Sequence, residues 1–578
     1  MSWRERLAET HGVNFELTRH FFGRLLDLEI AGSDQTRKVI SGILGILISL
    51  PILPSVAYWR KYQALASLGD AGLYRRAVLA DHLFLILISF SLTALLMTLL
   101  WPSLFPTLRD YLCLAGLPIR PRQIFQAKLL SLVLLVGVFE LSVNAPPALG
   151  LEAVAASTNV ENGTAALEGL LGATMLAGAF VFFVLLLVQA ALLSVIKPAR
   201  YARISVLIQG GLFMIQLALA TFVLSAPGWH ARMNYRGELL NWFPPAWFLG
   251  LDQFVAGNPD PWARQLAIRA LAAVSSAAVL AIGLYAAVYG RHRRTLLETP
   301  VTPRLGDRTL TANMAQWVER RSGHPQEAGL VDFTAATLFR SAQHRMVLAL
   351  MLAIGFAVTV NGLVSSVVAD GADSWSVNRV GLVEVAVLTP SALSFFLLTG
   401  LRSLFRVPVE LRANWLFRMN AGSARTAVLP ALSRFLTWWV IVPVVTATAP
   451  VEILMFGWFR GLAASALYLL GSLVLKELML RGVTTFPFTS AYAPGSKPVI
   501  HLAIRYGGAA AVYVVLFSWT VWRASQYGPM YMVTCGLLLA ACALLAKLRR
   551  RRDVEPVMAT TEEEATEPAL YSLALERD

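Results

Sequence analysis

The chain has 578 residues, 56% of them hydrophobic and only 15% charged, with 49 Lys and Arg against 35 Asp and Glu for a net charge of +14. A soluble domain carries about 25% charged residues, so this composition and the mean hydropathy of +0.60 exclude an ordinary soluble protein. The basic residues sit in loops and tails rather than in one domain with interleaved aromatics, which argues against a nucleic-acid surface.

In chain order, "MSWRERLAET" mixes acids with bases and has no short apolar core before a small-residue cleavage site, so no cleavable signal peptide is expected and the first span itself enters the membrane. The segment "FELTRHFFGRLLDLEI" then places aromatic and aliphatic residues among basic ones, as a helix lying along the membrane interface does. Twelve apolar runs follow, each near the roughly 20 residues that a spanning helix needs: 40–58, 79–101, 129–151, 170–195, 204–226, 265–289, 345–368, 380–400, 437–457, 461–480, 507–523 and 529–546. With both termini cytoplasmic, most Lys and Arg fall on one side, Arg291, Arg293, Arg294, Lys547 and Arg549 among them, as the positive-inside rule demands. Residues 59–78, "WRKYQALASLGDAGLYRRAV", oppose this as a basic external loop.

Between the second and third spans stands "LAGLPIRPRQIFQAKLL". Pro118 and Pro121 fix φ and restrict the residues before them, so the chain turns sharply. Pro121 suits a first helical turn, and "RQIFQAKLL" carries good helix formers into the third span. The expected result is a rigid elbow with Ile119, Ile124 and Phe125 as apolar anchors and Arg120 and Arg122 as charged ones. Leu239 to Gly257, "LLNWFPPAWFLGLDQFVAG", offers Trp242, Phe243, Trp247 and Phe248 at headgroup level.

The polar stretch 291–343 reads as a cytoplasmic linker dividing the chain into six plus six spans. Just before the seventh, "DFTAATLFRSAQHRM" echoes the first interfacial segment. Between the eighth and ninth, "MNAGSARTAVLPALSRFL" sets Gly422, Arg425 and Arg434 where the first half has Gly116, Arg120 and Lys128. Each is followed by a span with Ala-Pro, at Ala145-Pro146 and Ala449-Pro450. The expected fold is therefore all-α and polytopic, about twelve transmembrane helices as a duplicated six-helix unit: residues 1–290, the linker and second interfacial helix at 291–343, the second half at 344–548, and a basic-then-acidic tail at 549–578.

A six-span unit with an interfacial helix before its first span, "LPIRPRQIFQAKLL" after its second and an aromatic, Pro-containing segment between its last two resembles the permease of an ABC-2-type exporter. The resemblance implies that the loop after the second span is a coupling helix seated in a separate ATPase subunit, present in two copies and carrying ATP and Mg, and that the chain lies in a bacterial inner membrane. Its ATPase-contacting elements would be Gly116, Pro118, Ile119, Arg120, Pro121, Arg122, Ile124 and Phe125, with Gly422 and Arg425 in the second half. The second half departs in its short connection near "SQYGP" and lacks "LP" before its arginine.

The chain has no G-x-x-x-x-G-K-[ST] loop; "PGSKP" lacks the first glycine and the hydroxyl. It also has no H-E-x-x-H or G-x-S-x-G, and Cys113, Cys535 and Cys542 have no metal-ligand spacing, so no catalytic residue, metal site or bound cofactor is expected. Glu140, Glu384 and Glu452 fall within spans, where a charge demands a partner or a wet cavity. They line a substrate path, or else hold the bundle together, Glu140 with Gln209 or Gln216. An ion-coupled secondary carrier shares the six-plus-six layout. Its weakness here is the scarcity of intramembrane charge. A membrane enzyme acting on lipid would need clustered interfacial Asp, His or Arg.

Overall fold

The computed structural model describes residues 3–26, 53–106, 110–111, 114, 118–156, 163–196, 198–225, 241–258, 260–298, 308–368, 379–407, 427–481, 483, 486–489 and 506–553. Every regular element among them is helical. The chain divides into two compact units, Met1–Val301 with Val368–Trp375, and Thr302–Val367 with Ser376–Asp578.

In unit 1, α1 (Trp3–Leu26) is amphipathic and kinks at Gly12, whose φ of 52° suits a residue without Cβ. It packs along the first turns of α4 (Pro121–Ala156), burying Leu17 and Phe21 against Leu114, Ile124 and Ala127. Helices α2 (Leu53–Ser67) and α3 (Ala71–Leu99) come next, then α4, α5 (Gly163–Val195), α6 (Pro198–Ser225), the short α7 (Pro244–Val255) and α8 (Pro261–Glu298). Helix α5 is central, packing against α3, α4, α7 and α8.

In unit 2, α9 (Arg308–Ser322) and α10 (Pro325–Arg340) pack on each other. After them run α11 (Ala342–Val368), α12 (Arg379–Leu404), α13 (Val428–Phe456) with a π-turn at Thr437–Ile441, and α14 (Trp458–Leu480). A π-turn at Ala511–Phe517 leads into α15 (Ser518–Gln526), and α16 (Gly528–Asp553) closes the order. Helix α14 packs against α12, α13, α15 and α16, while α10 packs on the start of α13. Only Gly457, at φ 84°, separates α13 from α14, and a Cβ on Gly461 would lie 2.6 Å from Ile453 Cα, so glycine permits this hairpin.

Eight helical stretches are long and apolar enough to cross a membrane: Gly72–Leu99, Pro121–Ala153, Thr164–Val195 and Pro261–Arg294 in unit 1, and Leu382–Leu404, Val428–Phe456, Trp458–Leu480 and Gly528–Arg549 in unit 2. They coincide with eight of the twelve expected spans. The regions 204–226, 345–368 and 507–523 are helical over their described residues, with shorter apolar stretches at Ile208–Leu217 and Val347–Val360. Most of the expected first span, residues 40–52, lies outside the described residues, as do Cys113, Gly116, the loop holding Gly422 and Arg425, and the tail beyond 553.

One expectation is corrected. Residues 59–78 are not a loop: they are α2 and the start of α3, joined by a tight turn in which Asp70 Oδ1 caps α3 by accepting from Gly72 N (2.9 Å) and Leu73 N (3.0 Å). The stretch 291–343, expected as a linker and second interfacial helix, holds the end of α8, which runs on to Glu298, then α9 and α10.

Candidate functional site

Helix α4 begins where the sequence places the elbow. Arg120 is the residue before Pro121; its carbonyl accepts from Gln123 N at 2.9 Å while Gln123 Oε1 accepts from Arg120 N at 2.9 Å. This reciprocal arrangement stops the helix at Arg120 in the manner of a capping box. Pro118, Arg120, Pro121 and Arg122 are exposed and Ile119 is half-buried. Ile124 instead turns into the chain's own core beneath α1, and Phe125 lies 5.2 Å from the rings of both Tyr285 and Tyr289 on α8. The elbow thus shows charge outward and anchors its apolar side chains inward.

Two further contacts brace this end. Arg24 of α1 pairs with Asp110, and buried Lys128 holds its ammonium 5.2 Å from the Phe21 ring. Tyr111 is buried beside Tyr289, and desolvation first, then the phenol neighbours, push its hydroxyl well above the usual range. It therefore acts as a neutral hydrogen-bonding group at any physiological pH.

From the elbow a ladder of buried polar groups follows α3 through unit 1. Trp101 Nε1 donates to Ser205 Oγ (2.8 Å), and Gln189 Nε2 to Trp101 O (2.7 Å). Thr98 exchanges hydrogen bonds with Gln216, and its carbonyl accepts from Gln209 Nε2 at 2.8 Å. Glu140 is next. Its carboxylate accepts from Ser89 Oγ (3.0 Å), Asn144 Nδ2 (2.6 Å) and Thr93 Oγ1, all buried. The expected partners Gln209 and Gln216 are thus spent on Thr98, one step away. Ser89 and Thr93 lie one turn apart on α3 and Asn144 one turn after Glu140 on α4, so helical spacing alone gathers the donors.

At the far end of α3, His82 stands between two carboxylates. Its Nδ1 is 2.7 Å from Asp252 Oδ2 on α7 and its Nε2 is 3.1 Å from Glu152 Oε1 on α4, with relative exposures of 2%, 0% and 3% for His82, Asp252 and Glu152. The second approach is close but poorly aligned, and neither Glu152 oxygen has a hydrogen-bond partner. Because the carboxylates occupy opposite edges of the ring they do not converge on one point, and among the described residues no group of three acidic, His or Cys side chains is placed to hold a metal. At the preceding residue, Lys61 Nζ reaches Asp81 Oδ1 and Oδ2 at 2.8 and 2.7 Å, and Tyr62 Oη donates to Oδ2 at 2.8 Å. Burial first, and then Asp81, hold the Tyr62 phenol far above its ordinary value, so it remains a donor.

Residues 82 to 99 of α3 rise about 26 Å, close to a bilayer's hydrocarbon thickness. The sequence reading named Glu140 from this ladder and missed His82, Glu152 and Asp252. Of the segment expected at headgroup level, Trp242 is exposed, whereas Phe248 is fully buried because α7 wedges between α5 and α8.

Unit 2 buries its charge differently. Buried Glu452 accepts from Ser465 Oγ at 2.6 Å, and Glu384 is exposed near the start of α12. Where unit 1 has Glu140, the inner face of α12 has Ser391 bonded to Ser518 of α15. At the opposite end of α13 from Glu452, Arg434 pairs with Glu327 of α10. Nearby Lys476 Nζ reaches Ser433 Oγ (2.9 Å) and Glu477 Oε1 (3.1 Å), and Arg549 Nε donates to Glu477 Oε2 (2.9 Å). His344 bonds Ser341 and the Val407 carbonyl; His501 lies outside the described residues.

Eight apolar helices of this length, carrying few charges, define an integral membrane protein with several spans. No protein family matches the chain, and no curated protein or solved structure is significantly similar to it.

Proposed function

We propose that the chain is the permease subunit of an ATP-driven exporter of the ABC-2 type: two six-helix halves, twelve spans in all, opened and closed by a separate ATPase docked on its cytoplasmic face. One observation carries the reading. An exposed basic helix start, Arg120 to Arg122, is braced by an amphipathic helix and continues without a break into a helix of 36 residues. A partner pressing there moves a rod about 54 Å long, on which Arg122, Glu140 and Glu152 all ride. Pro146 and Pro147 lie between the last two and remove backbone donors, providing a bending point.

The repeat supports the six-plus-six layout. In both units an amphipathic helix packs on the start of the third span, α1 on α4 and α10 on α13, and a basic residue inside that span reaches back to it, Lys128 to Phe21 and Arg434 to Glu327. In both, the fourth span is central. ATP and Mg belong to the partner, present in two copies, and nucleotide-driven closure shifts the population between two arrangements of the bundle.

Glu140 and His82 favour a second reading, an ion-coupled carrier, since buried titratable groups on the adjacent helices α4 and α3 are what proton coupling uses. Co-purification separates the two. Native chain should retain a co-expressed P-loop ATPase partner, while Arg120→Glu with Arg122→Glu should reduce retention about tenfold or more, a loss of at least ~1.4 kcal/mol. Equal retention by both would refute the coupling assignment.

A further inference from the structure

We propose that His82, Glu152 and Asp252 form a proton-binding site that latches α7 to α3 and α4. The proposal does not depend on the permease reading. It starts from charge: with both carboxylates ionised and the imidazole neutral, two negative charges are enclosed, and among the described residues no buried cation stands beside them. Each group facing the site is otherwise committed or exposed. On α2, Lys61 and Tyr62 are taken by Asp81 of α3. On α5, Glu168 is exposed, and Gly169 presses on Asp252 so closely that a Cβ there would lie 2.6 Å from the Asp252 carbonyl oxygen. On α8, Arg264 and Arg269 are exposed, and Arg269 Nη1 is held by Asn241 Oδ1 at 2.8 Å. The adjoining end of α6 carries no titratable residue. On α7 itself, Gln253 Nε2 donates to Asp252 Oδ2 at 3.1 Å.

Glu152 is then the least satisfied group, with two buried oxygens and only the imidazole edge for company. A proton taken from water adds one positive charge and turns His82 into a double donor, one N–H toward Asp252 and the other toward Glu152. This halves the enclosed charge and draws three helices together through one ring. Loss of the proton leaves Glu152 and Asp252 ionised around a ring with a single N–H, which can serve only one of them. The latch should therefore hold at low pH and loosen as pH rises, with α7, the short helix between α6 and α8, as the element released.

Amide hydrogen exchange of the peptide covering 244–255 tests this in the full chain in lipid nanodiscs, after correction for the intrinsic rate at each pH. Native protein should exchange there at least about tenfold faster at high than at low pH, while peptides within α5 stay unchanged. Glu152→Gln, which needs no proton, should reduce the pH dependence to about twofold or less. A second variant, His82→Gln, keeps a hydrogen-bonding side chain and should do the same. Exchange of 244–255 that is independent of pH in native protein overturns the proposal. So does a pH dependence that survives in either variant.

Discussion

Glu140 is held by neutral donors and not by a cation, and this makes its surroundings sensitive to single atoms. Three hydrogen bonds fix its carboxylate, so the side chain cannot swing aside, and a Cβ on Gly178 would lie 2.1 Å from its carboxyl carbon. Gly178→Ala is therefore expected to overpack this point and destabilise unit 1 by about 1–3 kcal/mol, read as an earlier thermal unfolding midpoint in detergent. Glu140→Leu removes the acceptor that Ser89, Thr93 and Asn144 share, leaving them Thr174 O, Ser89 O and Ser89 Oγ respectively, and should cost about 1–3 kcal/mol. Glu140→Gln keeps one acceptor oxygen and should fall between native and Leu. A midpoint unchanged in all three would mean that the network contributes nothing to holding α3, α4 and α5 together. Part of this site is legible in the sequence, because Ser89 with Thr93 and Glu140 with Asn144 are each four residues apart. His82, Glu152 and Asp252 were not legible. They are far apart in the chain, and each stands at the edge of an apolar run, where an isolated charge is ordinary.

Among elements, the apolar runs identify eight spans because the bilayer imposes a length and a polarity that a sequence displays directly. The region 59–78 was misread for a related reason. Its four positive charges look like a loop, yet Lys61 is neutralised by Asp81 from the next helix, a contact across a turn that composition does not reveal. The elbow is better marked, since Pro121 and Gln123 are a recognisable helix start. Gln123→Ala removes the acceptor for Arg120 N and should weaken the first turn of α4 by about 1 kcal/mol. Helix α1 depends more on its ion pair and its two buried side chains. Arg24→Ala removes the ion pair that ties the end of α1 to Asp110, and limited proteolysis should then cut within residues 3–26 several-fold faster. Cleavage at the native rate would show that Leu17 and Phe21 alone hold the helix.

For the whole molecule, the proposed arrangement fixes which surface meets the partner. In inside-out vesicles with the native cysteines replaced, Arg122→Cys should react with a membrane-impermeant maleimide, and in right-side-out vesicles it should not; the reverse pattern would place the elbow on the outside and remove the docking surface. The units differ in charge, with Glu140 and the His82 site confined to unit 1 and unit 2 keeping Ser391 and Ser518 at the corresponding face. If the halves work as a pair, they share the mechanical parts, while each buries its charge in a different place, Glu140 and the His82 site in unit 1 and Glu452 with Lys476 and Glu477 in unit 2.

The most direct measurement is ATP hydrolysis by the proposed P-loop ATPase partner in proteoliposomes, with native chain, with the Arg120→Glu, Arg122→Glu chain, and with none. The account expects native chain to stimulate hydrolysis and the charge-reversed elbow to lose most of that stimulation, about tenfold, with α4 still folded. Hydrolysis that is the same in all three preparations would contradict it.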